Sequence, residues 1–132
     1  MKAITQNWLD YAKADLRNCE HIIKDELLTN IIAFHSQQTV EKCFKAIIEE
    51  RGTRLKRIHN LVKLHEIIEK HINFTVDEYQ LVILDHVYTS SRYPGDTGLL
   101  PDGKPNMQEA KEMYEFAKQI YDNTIKLFND TE

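Results

Sequence analysis

At 132 residues and 15.6 kDa the chain amounts to one domain, large enough to bury a core without disulfide or metal staples. Seventeen Lys and Arg against 21 Asp and Glu leave a net charge of −4, and hydrophobic residues make up 42%; this excludes a disordered chain and a polybasic, histone-like nucleic-acid binder. No apolar run reaches bilayer length, Met1–Asn7 carries no apolar signal core, and Cys19 and Cys43 form no CxxC, so the reduced cytoplasm is the expected compartment, with no disulfide framework.

Helix breakers are concentrated in one place. All the glycines and prolines except Gly52 lie between Ser91 and Asn106, so the rest of the chain reads as helix. A first helix is expected over about Asn7–Leu27, with Trp8, Ala12, Leu16, Cys19 and Ile23 on its apolar face and Tyr11 and Ile22 on the flank. A second runs over about Asn30–Arg51 and stops at Gly52; its apolar arc holds Ala33, Phe34, Val40, Phe44, Ile47 and Ile48. A third spans about Asn60–His71, with Leu61, Leu64, Ile67 and Ile68 inward. Thr75 and Glu78 have the spacing of a capping box for a fourth helix ending near Ser90. Asn106 and Glu109 are a weaker version of the same start signal, for a fifth helix to about Asn129. Its inward residues are Ala110, Met113, Tyr114, Ala117, Ile120, Tyr121 and Phe128. The expected architecture is all-α: a single domain over residues 1–132, a five-helix antiparallel up-and-down bundle with one long Gly/Pro-rich loop between helices 4 and 5. A loop of that length in a small domain usually carries function.

Three polar residues break the apolar pattern. Gln37 and Glu41 interrupt the arc of the second helix, and Asp15 interrupts that of the first. Buried polar groups need partners, at a cost of roughly 2–7 kcal/mol for a neutral one left alone. Two readings remain open: a structural network of Asp15, Gln37 and Glu41 with a cation such as Lys45, Arg92 or His59, or a polar pocket for a ligand. Charge is uneven too. Arg51, Arg54, Lys56, Arg57 and Lys63 form a basic block without an acid, and the remainder holds 12 cations against 21 carboxylates. Within that block Arg54 precedes His59 by five residues, a spacing able to serve RNA cleavage through a cation on the phosphate and an imidazole at the 2′-hydroxyl. It also fits a solvated basic linker. The six histidines and two cysteines show no HExxH or Cys/His ligand spacing, and no phosphate-cradling Gly-rich loop or nucleophile elbow occurs. Neither a metal nor another cofactor is expected.

The stretch Phe34-His35-Ser36-Gln37-Gln38-Thr39-Val40-Glu41-Lys42-Cys43-Phe44-Lys45-Ala46 resembles the second-helix motif of HEPN domains (higher eukaryotes and prokaryotes nucleotide-binding). Ala14-Asp15-Leu16, His59-Asn60-Leu61 and Ser91-Arg92-Tyr93-Pro94 fit the same family in order, so the likeness covers about Trp8–Phe128. The resemblance implies a five-helix bundle, commonly homodimeric, often encoded with a minimal nucleotidyltransferase and in several cases part of a toxin–antitoxin pair. It also marks Asp15, Gln37, Glu41 and Arg92 as positions the family retains. The late Arg, four to six residues, then His of the ribonuclease members is missing, since no histidine follows His86. The chain is closer to the Arg-Tyr-Pro subgroup.

The leading expectation is therefore a non-catalytic module that binds a nucleotide or another phosphate-bearing ligand and a nucleotidyltransferase partner. Lys42, Lys45, Arg92 and His59 would face phosphate, Gln37, Gln38, Glu41 and Asp15 would hydrogen-bond the ligand, and Tyr93 would stack on a base. Two alternatives stand beside it. One is a metal-independent ribonuclease toxin acting on RNA as a dimer through Arg54, Arg57 and His59. The other is an interaction module with no small ligand.

Overall fold

In a computed structural model, residues 1–52, 57–90 and 104–130 are described, without the side chains of residues 89 and 90. Arg54, Lys56, Arg92, Tyr93 and most of the Gly/Pro-rich segment lie outside these residues.

Five α-helices form the bundle: α1 (Ala3–Ile22), α2 (Thr29–Glu50), α3 (Leu61–Ile68), α4 (Glu78–Ser90) and α5 (Met107–Asp130). Short 3-10 turns follow α1 at Glu26–Leu28 and α3 at Glu69–His71. Helix α1 starts and ends earlier than expected. Its buried face is Thr5, Leu9, Ala12, Leu16 and Cys19, whereas Trp8 is half-buried and Tyr11 is exposed. At the far end Asp25 turns the chain by accepting from the Leu27 amide at 3.0 Å.

Helix α2 is the axis of the molecule and packs on each of the other four helices. The apolar arc expected of it is too narrow: from Ser36 to Ile48 only Gln38 and Lys42 escape full burial. Small and polar residues line the α1–α2 seam and bond across it. The Thr39 hydroxyl lies 3.4 Å from the Ala12 carbonyl, and the Cys19 thiol 3.4 Å from the Ile32 carbonyl and 3.6 Å from Ser36 Oγ. Where α2 ends, Gly52 adopts φ +71°, the left-handed conformation that an L side chain resists. There Lys2 folds α1 back onto α2, its amide donating to Glu50 Oε1 at 3.0 Å and its ammonium to the Glu49 carbonyl at 2.8 Å.

The two capping boxes fare differently. Asn106 and Glu109 make theirs reciprocally, Glu109 N–H to Asn106 Oδ1 at 2.8 Å and Asn106 N–H to Glu109 Oε1 at 2.9 Å. Thr75 caps nothing; Asp77 starts α4 by accepting from the Tyr79 amide at 3.0 Å. An aspartate nearer the first turn holds its N–H groups without the extra residues.

Helix α3 has two caps. Asn60 Oδ1 accepts from the Lys63 amide at 3.0 Å. From α4, the Asp85 carboxylate takes the Leu61 amide at 2.8 and 3.0 Å and the Val62 amide at 3.4 Å. Burial pushes the Asp85 carboxyl above the usual aspartate range and the charge of Glu41 adds to it, while the two amides pull it down. His65 on α3, almost fully buried, lies 3.7 Å from Glu78 of α4 and packs its ring on Phe44.

Both thiols are free and buried. Burial raises Cys19 to about 11 and Cys43 to about 12. Neither is expected to react with a thiol reagent such as DTNB at pH 8 in the native protein; both should react at once in urea. For the α3 cap, Asp85→Ala should cost about 1–3 kcal/mol by orphaning buried amides, lowering the midpoint of thermal unfolding by several degrees. Asp85→Asn should cost less, because its oxygen still accepts and no charge is buried.

Candidate functional site

The polar residues of α2 and its neighbours gather into two clusters, each built on one carboxylate. On the α1 side, Asp15 Oδ1 pairs with His35 Nδ1 at 2.7 Å and Oδ2 accepts from Lys42 Nζ at 2.5 Å. The Lys42 ammonium also lies 5.9 Å from the centre of the exposed Tyr11 ring. His35 meets Phe34 edge-on, and Phe34 stacks on Tyr88 of α4 at 5.6 Å.

The second cluster is deeper. Glu41 Oε2 accepts from Lys45 Nζ at 3.0 Å and pairs with His59 Nδ1 at 3.3 Å, while Oε1 accepts from Gln37 Nε2 at 3.3 Å. Lys45 and His59 are themselves 3.4 Å apart because they share that oxygen. Gln37 is fully used: its amide nitrogen also reaches the His59 carbonyl at 3.5 Å, and its oxygen accepts from Gln38 at 2.7 Å. The Lys45 ammonium lies 5.5 Å from the centre of the Trp8 ring, whose indole N–H is buried with no hydrogen-bond partner among the described residues. Glu41 and Lys45 keep only 6% and 7% of their side-chain surface, whereas His59 keeps 62%. The cluster is thus a buried ion pair with an exposed imidazole at its rim.

Among the described residues, the single network that is one of the two readings of Asp15, Gln37 and Glu41 does not form. No hydrogen bond or ion pair among the described residues links Asp15 to Gln37 or Glu41. The reason is angular: Asp15 enters from α1 and meets His35 and Lys42, a full seven residues apart on one stripe of α2, while Glu41 faces Lys45 and the α2–α3 connection. Of the residues expected at the site, Asp15, Gln37, Gln38, Glu41, Lys42, Lys45 and His59 are brought into these two clusters; Arg92 and Tyr93 lie outside the described residues. Of the alternative trio, Arg57 is exposed and His59 sits on Glu41, with Arg54 again outside. Sequence reasoning passed over His35, although its seven-residue offset from Lys42 marks a shared stripe. It also passed over the rings of Trp8 and Tyr11 as partners for lysines.

A groove of about 700 Å³ between the start of α4 and α5 has four carboxylates, Asp77, Glu112, Glu115 and Asp122, and one ammonium, Lys118, among its lining residues. Its charge repels phosphate, and it shares no residue with the two clusters. Among the described residues no group of three or more His, Cys, Asp or Glu could hold a metal ion, and no helix is long and apolar enough to cross a membrane.

Fold and site together define a small all-α bundle with a polar, nearly buried central helix. The HEPN domain family model matches residues 5–127, and the chain belongs to that family. Among solved structures it is similar to the crystal structure of an archaeal HEPN homologue, with a TM-score of 0.69 at 23% identity, covering 96% of this chain and 98% of that one. At that identity the likeness speaks to the fold. No curated protein matches.

Removing the carboxylate of the deeper cluster should leave a buried ammonium unpaired. Glu41→Ala is expected to cost about 3–5 kcal/mol in urea unfolding, and the double change Glu41→Leu with Lys45→Met to recover most of that loss.

Proposed function

We propose that this HEPN domain is a non-catalytic binding module whose α2 face takes a nucleotide or another phosphate-bearing ligand, working as a homodimer in the cytoplasm beside a minimal nucleotidyltransferase. One observation carries this reading. A lysine, a histidine and a carboxylate meet twice along α2, and Gln38 donates to Gln37 of the deeper grouping. A buried Lys–Glu pair is weak evidence for stability, since apolar residues of similar size do as well. Two such groupings at the half-exposed edge of a central helix are better accounted for by recognition. Lys42 and Lys45 supply charge for phosphate, Gln38 and Gln37 supply amides, and the exposed Tyr11 ring offers a stacking surface.

A second reading, the ribonuclease, is favoured by one detail. The carboxylate on His59 Nδ1 is the arrangement that orients an imidazole as a general base. Arg57 would then supply the cation. Incubating purified protein and His59→Ala with single-stranded RNA decides it: cleavage lost in the variant supports the enzyme, and no cleavage by either ends it.

Calorimetric titration with ATP and GTP tests the binding reading. Saturable heat is expected, weakened about tenfold or more by His59→Ala or Gln38→Ala, each a loss of one or two hydrogen bonds. Absence of heat at millimolar nucleotide rejects it.

A further inference from the structure

The two clusters share a wiring that sets their charge. Asp15 holds Lys42 and His35 Nδ1; Glu41 holds Lys45 and His59 Nδ1. An ionised carboxylate only accepts, so the proton of a neutral His35 sits on Nδ1 and its Nε2 is a bare lone pair, whereas His59 Nδ1 lies between the Glu41 oxygen at 3.3 Å and the Lys45 ammonium at 3.4 Å and a neutral His59 can carry its proton on either nitrogen. Among the described residues no hydrogen bond reaches Nε2 of His35 or His59. Each lysine cancels its carboxylate. With neutral imidazoles each lysine–carboxylate pair therefore offers an anion no net charge, and the His35 Nε2 lone pair repels it. One added proton per imidazole makes each cluster +1 and leaves both Nε2 atoms as donors.

We infer that the α2 face is a proton-coupled site for a dianionic oxyanion of the phosphate-ester class, occupied when His35 and His59 take up protons. This rests on the ligand reading above and adds the condition under which the ligand binds. The groups facing each imidazole do not offset the change. Around His35 are Asp15 and, through Lys42, Tyr11 from α1, Lys42 from α2, and the Phe34 ring backed by Tyr88 of α4. Around His59 are Glu41 and Lys45 from α2, the Trp8 ring from α1 beyond Lys45, and Arg57 on the same connection. Asp85 of α4, whose carboxyl is raised by burial and by the Glu41 charge, is engaged by the Leu61 and Val62 amides, and a double variant of His35 and His59 keeps it, so that its contribution separates from that of the imidazoles. Between pH 5.5 and 8 histidine is the side chain among these types that ordinarily changes charge.

Sulfate is the probe of choice, because it remains a dianion across that range and any pH dependence belongs to the protein. The full chain is titrated with sulfate at pH 5.5 and pH 8.0 at constant ionic strength, followed by amide chemical shifts. An association constant about tenfold or more higher at pH 5.5 is expected, with the shifts mapping to α2 and His59. His35→Gln and His59→Gln should each remove part of the rise, and the double variant all of it, with circular dichroism verifying the helices; if the double variant does not fold, the single variants decide. Equal constants at both pH values, or a rise that survives both substitutions, overturn the inference. ADP titrated in parallel separates the two levels. Binding of ADP without pH-dependent binding of sulfate removes the proton coupling and keeps the ligand reading. Failure of both ligands at both pH values removes both.

Discussion

Where a helix is buried against its neighbours, a charge has to be set against another charge. Helix α2 is in that position, yet it carries Glu41 and Lys45 within one turn of each other, both nearly buried. The remaining geometry follows from satisfying Glu41. Its two oxygens meet three partners, Gln37, Lys45 and His59. The last of these lies outside α2, so the α2–α3 connection is drawn onto the helix by the same carboxylate. A buried charge with three polar partners fixes more of its surroundings than an apolar side chain of equal volume, because direction matters as well as contact.

That constraint continues into α3. Gln37 reaches the His59 carbonyl, Asn60 caps the first turn, and Asp85 comes across from α4 to hold the amides of Leu61 and Val62. Residues 59–62 are thus tied to α2 on one side and α4 on the other. His59 is the exposed member of this chain of bonds, which makes it the point where a ligand and the core meet. The basic block that stands out in the sequence contributes differently. Arg51, Arg57 and Lys63 are exposed around this anchored segment, so they can shape its long-range field without belonging to the polar clusters.

Much of the fold was legible because helices announce themselves locally. The scarcity of glycine and proline, the stop at Gly52 and the Asn106–Glu109 box each act within a few residues, and each is realised. The errors came where a local signal had a neighbour competing with it: Thr75 had the right spacing, but Asp77 stood closer to the first turn. Leu9 was missed and Tyr11 placed too far inward because the stripe of α1 was centred a step away from Leu9. The site was legible as a set of misfits and illegible as a set of pairs. A helical wheel shows that Asp15, Gln37 and Glu41 face inward; it cannot show what approaches from another helix. Asp15 finds His35 and Lys42, twenty and more residues away, and Asp85 finds amides on α3, contacts that only packing creates.

The seam between α1 and α2 has a consequence for how such a chain can change over generations. Ala12, Cys19, Ser36 and Thr39 let the two backbones come close enough for side chains to bond the opposite helix's carbonyls. Asp15 stands on one of those backbones and its two partners on the other, so the seam works as a ruler for the polar cluster. Adding a methyl group there alters no charge and touches no ligand, yet it crowds the seam across which Asp15 meets His35 at 2.7 Å. Sequence drift at these small positions is then limited by distance, and the tolerance of a remote alanine becomes a measure of how closely the clusters must be spaced.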